Sequence, residues 1–206
     1  MYCGKGEMYM DSYSLIKSVN GITSVSVEAK LLSKRKIFIE GEITSDLACN
    51  VVRKIMFLVM EEKEKAIDIL IHSPGGDINA GLLIYDTIQS CKTPIRLFCI
   101  GKAYSMAAVL LACGNHGRYI LPHSELMLHE PLLNNRVEGT SSSIKSISES
   151  LLEVKRKLNN ILAKHTGKEE EEIEKATCYD HFFNPTESIE FGLADEIIGF
   201  DKMMEE

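Results

Sequence analysis

The 206-residue sequence has no Cys-x-x-Cys pair, no apolar stretch long enough to cross a bilayer, and no surplus of positive charge. Its six cysteines (Cys3, Cys49, Cys91, Cys99, Cys113, Cys178) are scattered, several inside apolar segments, as reduced core cysteines are. That excludes a disulfide framework and a zinc site. The longest uninterrupted apolar run, Met106 to Cys113, falls far short of the ~20 residues of a membrane span. The N-terminus carries Lys5 but lacks the apolar core and cleavage pattern of a secretory signal. A formal charge of −7 argues against a nucleic-acid partner, which would meet a basic face. No two histidines stand four residues apart beside a carboxylate, so metal ligation has no motif. What remains is a soluble cytoplasmic protein without membrane, nucleic acid or metal.

The composition that is present, 45% apolar and 26% charged, is that of a globular domain. Residues 1–30 are weakly patterned and read as an arm, with a turn at Asn20-Gly21 and a short strand over 22–27. From Lys36 onward, strands alternate with helices. Lys36 to Glu40, Ala66 to Ile71 and Ile95 to Ile100 read as strands. Apolar residues from Leu47 to Val59, then Ile78 to Gln89 and Ser105 to Ala112, read as helices. Short strands at Tyr119–Leu121 and Glu125–Leu128 follow. Such alternation predicts an α/β fold with a largely parallel sheet, in which ligands sit beyond the carboxyl ends of the strands. The loop at Gly75-Gly76 and the serine at position 105 both fall at that edge.

Residues 136–167 differ. Ile144, Ile147, Leu151, Val154, Leu158 and Ile161 repeat at 3-4-3-4-3, a seam of two apolar residues per heptad. It covers roughly 27 Å at 1.5 Å per residue and predicts a helix that projects and packs on a partner helix. Lys168 to Lys175, rich in glutamate, reads as a solvated helix face, and Asp201 to Glu206 as a charged, frayed tail.

Ser105 has two readings. Serine commonly starts helices, but it also stands where a nucleophile at a sheet edge would be. A nucleophilic serine needs a base, usually a histidine oriented by a carboxylate. Of the six histidines, His116 and His123 sit in turn-rich sequence, His165 ends the long helix where a cation suits the dipole, and His181 flanks an aromatic pair. His72 and His129 remain, both at strand ends; His129, fixed by Pro131 two residues on, is better held. The Gly75-Gly76 loop and the amide of Met106 offer backbone donors for an oxyanion or another anion. Spacing leaves the carboxylate open among Asp46, Asp77, Asp86, Asp180 and Asp195.

Ile69 to Gly76, Ala80-Gly81, Ile84 to Thr87, Gly101 to Leu111 and Leu121-Pro122 through Met127 to Pro131 occur in order. His165-Thr166-Gly167, Tyr179 to Phe182, Glu187 and Phe191 to Asp195 complete the series. From about Leu31 to Ile198, the sequence resembles the Clp protease proteolytic subunit (ClpP) family. The resemblance implies a ClpP/crotonase-like spiral of strand-strand-helix units. Residues 31–135 and 168–200 would form the head, 136–167 a projecting handle helix, 1–30 an axial arm and 201–206 a tail.

It further implies that Ser105 is the nucleophile, His129 the base and then acid, and Asp180 the orienting carboxylate, with Gly76 and Met106 as oxyanion amides. Such subunits hydrolyse unfolded chains inside two stacked heptameric rings. They need no cofactor or metal of their own; ATP is used by a hexameric AAA+ unfoldase partner. Several residues depart from the family pattern. Tyr104 and Ala107 replace smaller residues around the serine and predict a slightly narrowed site. Leu133-Asn134 replaces two glycines, Glu130 a glutamine and Tyr179 an arginine of the ring-to-ring contact. At the unfoldase-docking pocket, Asp68, Leu70 and Ser90 stand where aromatic residues are usual, which predicts weak docking because an apolar anchor would be buried against a carboxylate. Tyr104, Tyr179 and that pocket motivate an alternative role as a catalytically weak ring subunit supporting an active paralogue. An acyl-CoA enzyme of the related crotonase-like fold would leave Ser105, His129 and Asp180 without purpose.

Overall fold

The computed structural model describes residues 13–18, 21–133 and 138–204. Strands β1 (Tyr13–Ser18) and β2 (Gly21–Ser26) pair antiparallel as a separate two-stranded sheet. Helix α1 (Val27–Ser33) follows, capped by the Ser26 hydroxyl, which accepts from the Ala29 amide. The sequence offered no sign of α1, because it buries no residue and so carries no apolar period.

The main sheet begins with β3 (Lys36–Glu40). Helix α2 (Ser45–Glu61) is capped by Thr44, as its Thr-Ser-Asp start suggests. Its last turn holds no basic residue. Arg35 takes that role: buried at 6% exposure, it donates to the carbonyls of Leu58, Glu62, Lys65 and Ala66. One guanidinium thus satisfies the orphan carbonyls at the end of α2 and ties them to the next strand. That strand, β4 (Ile67–Ser73), leads to α3 (Ile78–Ser90), capped by Asp77.

Strand β5 (Ile95–Tyr104) is the longest, and α4 (Met106–Ala112), buried along its whole length, follows at once. Next come β6 (Arg118–Ile120), β7 (Glu125–Leu128), α5 (Ser141–Thr166) and α6 (Glu170–Thr177). Strand β8 (His181–Phe183), α7 (Pro185–Phe191), β9 (Glu196–Ile197) and α8 (Phe200–Met204) complete the described chain.

The parallel order is β3-β4-β5-β6-β9. Strand β5 changes partner along its length: Leu97 to Cys99 pair with β6, and Lys102 to Tyr104 pair with β7. Gly101 (φ 101°) lies at the handover, where its amide donates to Ser124 Oγ at 2.7 Å. Strand β7 also pairs antiparallel with β8, so a second small layer branches from the end of β5. This is the expected α/β ClpP-type architecture. The core fills the side of the sheet covered by α2, α3 and α4, with Ile37, Ile69, Ile71, Leu97 and Cys99 fully buried.

Helix α5, about 39 Å long at 1.5 Å per residue, is buried at one end only. Leu158 and Leu162 join the core, whereas Ile144, Ile147 and Leu152 are exposed. Thr140 caps its start, and Gly167, in the left-handed conformation, ends it. The frayed tail predicted for 201–206 is corrected over its described part: Phe200–Met204 is helical, and Met203 is 3% exposed. A single buried methionine among charges leaves no periodicity to detect. Among the described residues, no helix is long and apolar enough to cross a membrane.

Candidate active site

Ser105 is held in a conformation that side-chain-bearing residues rarely adopt, φ 55° and ψ −124°. Such a backbone costs about 1–3 kcal/mol and persists only where surrounding structure enforces it. Here the enforcement comes from three sides. The Ser105 amide donates to the Met127 carbonyl at 2.7 Å, and its carbonyl accepts from Ala108 at 3.0 Å. Gly75 presses on the turn, where a Cβ would lie 2.7 Å from Ser105 Cβ and from the Tyr104 carbonyl. The hydroxyl makes no capping hydrogen bond. The serine is therefore a sharp strand-to-helix elbow rather than an ordinary helix cap, a geometry that exposes a nucleophile above a sheet.

A groove of about 770 Å³ opens over this elbow and is lined by Ser105, Met106, His129, Gly75 and Gly76. Four of the five sequence candidates thus meet at one surface. In the glycine loop, the Gly75 amide donates to Ser73 Oγ, the Gly75 carbonyl accepts from Ile43, and the Asp77 amide donates to the Ile43 carbonyl. The remaining amide of the turn is that of Gly76, held so close to Ile43 that a Cβ would lie 2.4 Å from its carbonyl oxygen. The Met106 amide, at the first position of α4, has no carbonyl within the helix to bond. Both are suited to receive an oxyanion.

His129 directly follows β7. Its Nδ1 is buried and has no hydrogen-bond partner, a state that costs about 1–3 kcal/mol. Asp180 precedes β8, whose His181 pairs with Leu128; one further step along this antiparallel ladder sets Asp180 opposite His129. Asp180 is exposed and does not line the groove. Among the described residues, no hydrogen bond joins His129 to Ser105 or to Asp180. The structure thus brings Ser105, His129 and the Gly76 and Met106 backbones to one groove and leaves Asp180 outside it.

The expected narrowing by Tyr104 and Ala107 is not found. The Tyr104 hydroxyl donates to Glu125, its ring packs edge-on against Phe182 at 5.8 Å, and neither Tyr104 nor Ala107 lines the groove. The bond to Glu125, with burial second, pushes the Tyr104 phenol up to about 12. Leu133 does line the groove; Asn134 lies outside the described residues. His165, in the last turn of α5, packs against Tyr85, with Nε2 3.2 Å from the hydroxyl, and burial pushes its pKa down. Arg118 adds a cation at the end of α5, bonded to the His165 carbonyl at 3.1 Å. His72 bonds the Ile100 carbonyl and lies outside the groove.

Two features were not legible beforehand. Lys155 of α5 bridges Glu130 (2.9 Å), next to His129, and Glu174 (3.3 Å) of α6, so the strand end bearing the imidazole is clasped to the long helix. The hydrogen bond to Glu130 raises the Lys155 pKa. Asp68, expected to face a docking pocket, is 4% exposed and already held by Lys36 at 2.8 Å and by both arms of Arg96 at 2.6 and 2.9 Å. Ser90 bonds back to the carbonyl of Asp86. Neither pattern follows a fixed spacing; each depends on strand register.

A strained serine elbow beside paired backbone amides, on a parallel sheet that hands over to a second layer, defines an α/β protein of the ClpP fold. The Clp protease family model matches residues 19–201, and the chain belongs to that family. Clp proteases are serine peptidases that form rings and work with unfoldase partners.

Proposed function

We propose that this chain is a serine endopeptidase subunit that cleaves peptide bonds of unfolded proteins within an oligomeric chamber. The observation that carries the reading is the Ser105 elbow (φ 55°) on a groove shared with His129 and Gly76. In the cycle, Ser105 Oγ attacks the scissile carbonyl as His129 Nε2 takes its proton. The Gly76 and Met106 amides bind the oxyanion, and His129 returns the proton to the leaving amine. Water then attacks the acyl-enzyme with His129 again as base. Asp180 accepts from the buried Nδ1–H, which fixes the tautomer and steadies the imidazolium. The unpartnered Nδ1 is the place ready for it, and engagement requires the exposed Asp180 side chain to turn toward the imidazole.

The wider reading is two stacked heptameric rings with α5 as the ring-to-ring element, in the cytoplasm. A hexameric AAA+ unfoldase spends ATP to feed chains, and the subunit itself uses no metal or cofactor. Hydrolysis of fluorescein-labelled casein by the purified protein tests it: Ser105→Ala and His129→Ala each lower kcat by about 10³-fold or more. Unchanged hydrolysis by Ser105→Ala would overturn the assignment.

A second reading is favoured by the disengaged Asp180: a catalytically weak ring subunit that supports an active paralogue. Robust casein hydrolysis by the isolated protein removes it.

A further inference from the structure

The antiparallel ladder between β7 and β8 ends at the Leu128–His181 pair, so His129 and the residues after it leave the sheet unpaired. Among the described residues, no backbone hydrogen bond holds 129–133. The polar anchor of this stretch is the Glu130 carboxylate, 2.9 Å from Lys155 Nζ. The proposed base therefore sits on chain that backbone pairing does not fix. Its placement matters, because a displacement of about 1 Å in a reacting group can cost ~10²-fold in rate.

Lys155 stands on firmer ground. Three residues further along α5, Leu158 enters the core, and Leu162 follows one turn later. Helix α6 is rooted in the same core by Ile173 and Ala176. The Lys155 ammonium bonds Glu174 of α6 at 3.3 Å as well as Glu130. Asp180 comes three residues after Thr177, the end of α6. One ammonium thus touches both segments whose side chains must meet: that of His129 through its neighbour Glu130, and that of Asp180 through the helix leading to it. Glu130 is 42% and Glu174 64% exposed, and ion pairs this open to water contribute little to folding. What the two bonds fix is position.

We propose that Lys155 is a positioning residue for the Ser105 reaction. It is a strut that sets the His129 segment against the Asp180 segment, so that a turn of the Asp180 side chain alone engages Nδ1. The strut rests on the peptidase reading given above.

Steady-state hydrolysis of a short fluorogenic aminocoumarin peptide, with thermal unfolding of each variant alongside, tests it. Lys155→Met is expected to lower kcat about 10-fold or more, with KM within about 2-fold. Its Tm stays within about 2 °C, since the pairs are open to water. Lys155→Arg, which keeps a cation between the two carboxylates, restores kcat to within about 3-fold of the unaltered protein. Glu130→Gln and Glu174→Gln each cause an intermediate loss, and neither adds to Lys155→Met, because the arm is already gone. The rate of fluorophosphonate labelling falls in step with kcat, a reading free of product release. Full kcat in a folded Lys155→Met, or a loss carried by KM or Tm instead of kcat, overturns the strut. Should Lys155→Met not fold, the two glutamine variants decide, and unchanged kcat in both overturns it. An unaltered protein that neither hydrolyses nor labels removes the peptidase reading and the strut with it. An unaltered protein that reacts no faster than Lys155→Met removes the strut alone.

Discussion

On one side of the sheet the strands present Ile37, Ile69, Ile71, Leu97 and Cys99 to three helices. On the other side the same strands present Asp68 gripped by Lys36 and Arg96, two stacked rings, and one methionine brought by α8. The first side is stabilised mainly by apolar burial. The second holds charges out of water by pairing them, beside a small cluster that Ile198 and Met203 complete. The two sides therefore differ in chemistry: one is packed with apolar side chains, the other carries a buried ion network beside a smaller apolar cluster.

Neighbours on β4 break this comparison most sharply. Asp68→Ala leaves Lys36 buried beside one backbone carbonyl and is expected to cost about 3 kcal/mol or more in urea unfolding. Adding Lys36→Met and Arg96→Met should restore most of that, because an apolar replacement of a buried ion network is often neutral. Ile69→Ala, the next residue but facing the helices, should cost about 2–4 kcal/mol through a cavity, with no rescue by charge removal. If the triple variant stays as unstable as Asp68→Ala, the two sides do not differ as described.

A smaller effect is expected at α8. Met203→Ala should cost about 1 kcal/mol in global unfolding, since a short helix can relax around the gap, while exchange at 200–204 rises far more than at Ile69. The smallest lies on the helix side at His165. Burial lowers its pKa, so the unfolded chain binds the proton more readily. Stability is then full above the ordinary histidine value of about 6.5 and falls as pH drops from there toward the lowered native value. His165→Gln should flatten the acid side of a Tm-against-pH curve; an unchanged slope would dissociate it from this burial.

The same contrast explains what could be read in the chain. Strands β3 to β5, helices α2 to α4 and the heptad stripe of α5 announce themselves through apolar period, and the caps Thr44, Thr140 and Gly167 stand where their residue types predict. Ser105, His129 and the Gly75-Gly76 loop were legible as strand-end residues, because a parallel sheet gathers such ends at one edge. Asp180 was not separable from four other aspartates by spacing; only family resemblance singled it out. Tyr104 was misjudged because side-chain direction depends on register, and one step along β5 turns it toward Phe182. Helices α1 and α8 escaped because neither carries an apolar period. The Lys36–Asp68–Arg96 network escaped because three strands must be aligned before its charges meet.

The most direct measurement is intact-mass analysis after treatment with a fluorophosphonate, which modifies only a serine activated by its surroundings. One adduct per chain on the unaltered protein, abolished by Ser105→Ala and strongly slowed by His129→Ala, is the predicted result. Labelling that persists in Ser105→Ala, or none on a protein that hydrolyses casein, would contradict the assignment of Ser105 as the nucleophile.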